Sequence, residues 1–264
     1  MTTGQLTKHG LTAFSMHKLK QIFSCPIAAL CPETGAGRAR MRALDDNEKK
    51  AKREVILDAA DRLFAQRRDL ANVADIAVAA GLAKGTVYLY FQSKEEIYLA
   101  LHLRHMEHFL TALIERLERL DPFHFNEMTA LAGNHILNAP NFLPLGACCI
   151  GFADGAVPAA GSQYFQARLT FLLETAGRGL ERHFPKLPAG EGARLLHHSY
   201  ALMIGLFSLM RSEQSSQLKC PQIKGMGSFQ EEAVLALTRY WVQAAGIEDA
   251  VLPQPTQTPG QYKK

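Results

Sequence analysis

Six residues within one short run of this chain bring together groups that bind anions. Lys84, Thr86, Tyr88, Tyr90 and Lys94 supply ammonium and hydroxyl donors, and Gly85 removes a side chain between the first two. Such donors make hydrogen bonds to phosphate oxygens and to base edges. A glycine near a helix start lets the backbone approach a phosphate, where unpaired N–H groups and the positive end of the helix dipole meet the anion. This is binding chemistry. Patterns for catalysis are missing: the sequence holds no GxSxG, HExxH, CxxC, Walker or dinucleotide fingerprint. The chain is therefore read as no enzyme, with no cofactor and no metal.

The donors need a rigid frame, and residues 72–94 (NVADIAVAAGLAKGTVYLYFQSK) read as one. Ile76, Ala77 and Ala80 fall at helical spacing. Asn72 stands where a helix start needs a side-chain oxygen. Gly81 stands where a helix end needs a left-handed residue, and Leu82 packs back between the helices. In the second helix Val87 and Phe91 stack on one face, while Lys84 and Tyr88 share another. Helix, glycine turn, helix is the signature of a helix-turn-helix, whose second helix enters the DNA major groove. Ser93-Lys94-Glu95-Glu96 is a capping box that opens the next helix and holds Lys94 in its first turn.

The whole chain adds bounds. At 264 residues it can bury a real core in one large or two modest domains. A net charge of +4 excludes a histone-like polycation, so local charge matters more. Lys49, Lys50, Lys52 and Arg53 precede the motif, and Arg67 and Arg68 end its first helix, as a phosphate-binding footprint requires. No apolar run is long enough to span a bilayer. Five cysteines without metal-ligand spacing fit a reducing cytoplasm. Cys148-Cys149 reads as small buried hydrophobes rather than a redox pair. His102, His105 and His108 spread over an arc of about 120° and read as surface or interdomain histidines rather than metal ligands.

The block AGLAKGTVYLYFQSKEEIYLAL resembles the DNA-binding domain of the tetracycline-repressor (TetR) family of transcriptional regulators, and the resemblance runs from about Lys49 to Leu101. It implies an all-helical homodimer in which a small N-terminal domain binds double-stranded DNA and a divergent C-terminal domain binds a small effector. It implies that Lys84, Gly85, Thr86, Tyr88, Tyr90 and Lys94 face DNA; Asn72 joins them at the front of the motif. Ala83 stands where relatives usually carry a polar cap on the recognition helix, and Ala74 where many carry a polar contact residue. The segment 67–71 lacks the glycine usual in the family.

The expected fold is all-α, with a three-helix helix-turn-helix domain followed by a helical effector-binding and dimerisation domain. Residues 1–45 are expected to be a disordered extension, 46–92 the DNA-binding domain, 93–246 the effector domain and 247–264 a disordered tail. Met41 begins a plausible shorter chain. Helices are expected over 46–65, 93–120, 126–137, 146–155, 162–184, 192–210 and 229–245. The last two are apolar almost all round, which suits burial against a second copy. The expected effector-binding set is Phe142, Cys148, Phe152, Arg168, His198, Met203 and Phe207, serving an apolar ligand with a small polar head. Competing readings are an all-helical enzyme or carrier, and a protein-interaction module whose helix-turn-helix is only structural.

Overall fold

The computed structural model describes residues 36–215 and 226–247, and the chain divides after Lys49 into two units. Of the first unit only the helical stretch 36–49 is described; the rest concerns residues 50–264. The extension before residue 36, the loop 216–225 and the tail from 248 lie outside the described residues. Every regular element among the described residues is helical: α1 (Ala36–Arg67), α2 (Val73–Ala80), α3 (Lys84–Tyr88), α4 (Lys94–Leu117), α5 (Phe125–Ala132), a π-helical turn (Gly133–Leu137), α6 (Phe142–Ile150), α7 (Ala159–His183), α8 (Glu191–Ser215) and α9 (Phe229–Ala245). The first helix begins ten residues upstream of its expected start, and α9 falls where its pattern placed it.

Two clusters of buried side chains meet along α4. Its first turns give Ile97, Tyr98 and Leu101 to a core shared with Ile56, Phe64, Ile76, Val87 and Phe91. Its later turns give Met106, Phe109, Leu110 and Leu113 to a second core with Phe142, Leu172, Leu196, Met203 and Trp241. One stiff helix thus anchors the helix-turn-helix at one end and the helical body at the other.

Backbone chemistry closes the joints. With no glycine after α1, Arg68 takes the left-handed conformation itself, at φ 57°. A side chain there is strained by roughly 1–2 kcal/mol. The guanidinium offsets this by donating to Pro140 O at 2.7 Å and Asn141 Oδ1 at 3.4 Å. The following Ala71 N–H donates to the buried Tyr98 hydroxyl at 2.9 Å. At the far end of α4, Arg116 grips Glu127 of α5 at 2.5 and 2.9 Å. Helices α7 and α8 cross at Gly177 and Gly192, where their backbones touch and no Cβ has room.

Candidate nucleic-acid interface and ligand cavity

The helix-turn-helix is held by caps read from local chemistry. Asn72 Oδ1 accepts from Asp75 N at 2.9 Å and fixes the start of α2. Gly81, at φ 67°, ends it by donating back to the last turn, and Leu82 N–H follows to Ala77 O at 2.9 Å. Helix α3 is only five residues long, and its N-cap Ala83 supplies no side-chain hydrogen bond. Ser93 Oγ accepts from Glu96 N at 3.0 Å and so places Lys94 in the first turn of α4. Glu96 reaches back one residue beyond the cap, to Gln92 N at 2.6 Å.

These elements bring four of the expected DNA-facing residues to one concave surface: Asn72, Lys84, Tyr88 and Lys94 line it with Val73, Ala74, Gln92 and Ser93. Tyr88 is 46% exposed, with the Lys84 ammonium 5.9 Å from its ring centroid. Gly85 is exposed, with open space where a Cβ would stand. Thr86 and Tyr90 are half-buried, and Tyr90 packs against the head's core. The flanking arginines do not form a free footprint. Arg67 pairs with Asp75, Arg68 turns to Pro140, Arg62 bonds Ala79 O at 3.2 Å, and Arg53 covers the Phe91 ring at 4.9 Å.

A polar cluster ties the head to the body. Asn141, the residue before α6, is buried and donates to Asp61 of α1, at 2.7 Å to its carboxylate and 3.1 Å to its carbonyl. From α4, His105 Nε2 lies 3.4 Å from the same carboxylate, while Arg104 bonds Asp58 at 2.7 Å and Glu54 at 3.1 Å. Burial pushes the Asp61 carboxyl up, yet hydrogen bonds from His105 and Asn141 and the charges of His105 and Arg104 hold it below the usual range.

The body forms a partly open cavity of about 340 Å³ between α4, α5, α6, α7, α8 and α9. Phe142 and Met203 of the expected effector set line it; the other five do not. Arg168 points to Glu107 at 2.6 Å, His198 bonds the Tyr240 hydroxyl at 2.9 Å, and Phe207 stacks edge-on with Phe229. Phe152 packs beside the head's core. In place of Arg168, Cys148 and His198 the wall takes their neighbours Leu169, Cys149 and His197. Neither Cys148 nor Cys149 is in a disulfide, and burial pushes the Cys149 thiol up, away from the reactive thiolate.

The reading of His102 as a surface or interdomain residue is corrected: it is only 2% exposed and forms part of the cavity wall. Its Nε2 lies 2.8 Å from the Tyr200 hydroxyl. Burial and the nearby His105 push its pKa down to about 3, so the ring is neutral at pH 7. A sequence signal existed, because His102 follows Tyr98 by four residues on the stripe that α4 buries. Trp241, whose indole N–H donates to Ser199 at 2.8 Å, completes the far wall. No three metal-ligating side chains cluster among the described residues, and no helix there is long and apolar enough to cross a membrane.

Comparison with known proteins places the head. Residues 56–101 match the family model of bacterial regulatory proteins, tetR family. The fatty acid metabolism regulator protein of Bacillus subtilis is 34% identical over 98 residues, which cover 34% of this chain and 50% of that protein. The chain thus spans about half the length of that curated relative. Two solved structures are similar in outline at 18% identity. The repressor of the Stenotrophomonas maltophilia multidrug efflux pump SmeDEF has a TM-score of 0.48, covering 79% of this chain and 96% of that one. The SmeT-Triclosan complex has a TM-score of 0.46, covering 81% and 100%.

Proposed function

We propose that this chain, whose residues 56–101 match the tetR-family model, is a DNA-binding transcriptional regulator that acts as a repressor and leaves its operator when a small molecule fills its cavity. The observation that carries the reading is the open face on which Asn72, Lys84, Tyr88 and Lys94 meet, on short helices fixed by side-chain and glycine caps. Lys94 and Lys84 neutralise backbone phosphates, and Thr86 and Tyr88 bring hydroxyls to the groove. A twofold operator needs two heads. A second copy supplies the other, paired through α8 and α9, where Gly205 and Leu209 lie exposed one turn apart.

Release follows from the way the cavity meets the head. Phe142 is a cavity wall, and its neighbour Asn141 holds Asp61 of α1. A ligand that displaces the Phe142 ring moves Asn141 and loosens α1, so the head spacing suited to DNA loses population. The ligand shifts that equilibrium only by its preference for the loosened state. The test is anisotropy of a labelled duplex from upstream of the gene, with sedimentation of the free protein and of the complex. Saturable, salt-sensitive binding of two chains per duplex is expected. Indifference to that duplex at low ionic strength refutes the reading.

A further inference from the structure

We propose that Leu89 reads sequence for this chain, by packing against the 5-methyl group of a thymine in each half of the operator. The inference rests on the regulatory reading above and names what the centre of its DNA-facing surface recognises.

The placement comes from the turn of helix that carries Leu89. Its backbone stays helical, at φ −71° and ψ −20°, and the N–H groups of Tyr90 and Phe91 both donate to Val87 O at 3.0 Å. Residues from Lys84 to Phe91 therefore stand around one axis at about 100° each. Val87 and Phe91 mark the inward direction, because both are buried in the head's core. Leu89 then points straight outward, with Gly85 within about 40° of it and Thr86 and Tyr88 on the two flanks. The exposures agree: Leu89 is 82% exposed, well above Tyr88, and Thr86 is half-buried. A helical side chain leans back over the preceding turn, which here begins at Gly85, where an added Cβ would meet nothing. The crest of the helix is thus an isobutyl group beside a bare glycine.

A helix lying in the major groove turns its crest to the base edges. Leucine carries no donor or acceptor for the hydrogen-bond code displayed there. The apolar group on that floor is the thymine methyl. Contact between the two removes apolar surface of both from water. Against a cytosine amino group or a guanine oxygen, the same side chain would displace water and return no hydrogen bond, which penalises those bases. The hydroxyls of Thr86 and Tyr88 stand to either side of this contact. Val78 is exposed to the same extent, at 82%, and provides a matched control. It stands on α2, one turn beyond Ala74, and in this motif the first helix crosses the phosphate backbone rather than entering the groove.

The experiment deletes the methyl from the DNA. Footprinting locates the operator in the duplex upstream of the gene, and uracil then replaces one thymine at a time, which leaves every hydrogen-bonding edge intact. Anisotropy gives the affinity of the unaltered full-length chain, Leu89→Ala and Val78→Ala for each duplex. Uracil at one symmetry-related position is expected to weaken the unaltered chain about fourfold per half-site, and about fifteenfold with both half-sites changed, the worth of one buried methyl per head. Leu89→Ala is expected to bind the thymine duplex more weakly and to be indifferent to uracil at that position. Val78→Ala is expected to keep the fourfold response. The proposal is overturned if no position responds in the unaltered chain, if the response survives Leu89→Ala and so reports the stiffness of the duplex, or if Val78→Ala abolishes it equally. The thymine–uracil comparison uses the unaltered chain, so misfolding of a variant cannot mask the answer. Failure to bind the promoter at all undoes the regulatory reading and this proposal with it, whereas binding without a methyl response undoes the role of Leu89 alone.

Discussion

Replacing Lys94 with alanine tests the interface at its most quantitative point. The ammonium sits in the first turn of α4, 42% exposed, and its carboxylate neighbour is Glu95 at 3.9 Å. That leaves it able to meet a phosphate. Each phosphate neutralised adds about 0.9 to the slope of log affinity against log salt, so one contact per head on a two-headed complex is worth ~1.8. Between 50 and 200 mM salt, a fourfold change, the decline in affinity should shrink by about twelvefold for Lys94→Ala. Arg67→Ala is the internal control, because Arg67 is also cationic and nearby but is bonded to Asp75 within the head. Its slope should match that of the unaltered protein. The assay is anisotropy of the promoter duplex at four salt concentrations for all three proteins. An unchanged slope for Lys94→Ala, or an equal flattening by Arg67→Ala, refutes the assignment of phosphate contacts from packing.

Other expectations follow from single positions. Gly85→Ala meets nothing in the protein, so stability should hold or rise by up to ~1 kcal/mol while promoter affinity falls, read by thermal melting and anisotropy on one sample. Gly177→Ala drives a Cβ into the Ala193 backbone of α8 and should cost roughly 1–3 kcal/mol in urea unfolding, with fluorescence of Trp241 as the probe. Asn141→Ala cuts the link to Asp61 and should weaken DNA binding even without ligand, whereas a loss confined to ligand response would contradict the proposed coupling. For His102, the folded pKa of about 3 lies below the ordinary 6.5, so as pH falls the unfolded chain takes the proton first. Its contribution to stability is therefore intact above pH 6.5 and is lost on acidification toward pH 3. Relative to His102→Gln, the unaltered protein should lose roughly 2 kcal/mol between pH 7 and pH 5 in urea titrations.

What could be read from the sequence divides along a physical line. Asn72, Gly81 and Ser93 act on backbone groups within a few residues of themselves, so their caps are set by local geometry and were legible. Arg67, Arg68 and Lys94 look alike in a sequence, yet an acceptor on α2 and another before α6 take the first two out of the phosphate-binding count. Those acceptors become visible only when the helices are packed.

The cavity shows the same limit more sharply. Its wall takes Leu169 and not Arg168, Cys149 and not Cys148, His197 and not His198. Leu169 lies on the apolar stripe expected to be buried, whereas the choice of Cys148 over Cys149, and of His198 over its equally eligible neighbour His197, fell on the outward residue. Adjacent residues on a helix point about 100° apart, so a small error in a helix's rotation exchanges an inward residue for an outward one. Rotation is legible where a helix is strongly two-faced, as α4 is. It is less legible in α8, which carries apolar residues around much of its circumference and whose phase is fixed by what it packs against. The stripe of α4 marks His102 as buried, but not what it meets. His102 becomes a wall residue because Gly146 on α6 leaves room for its contact with Tyr200 on α8, and no window of one helix contains those three positions. Residues that recognise a ligand across several helices are therefore the ones that sequence periodicity reads least well, while the interface built on one short capped motif is the one it reads best.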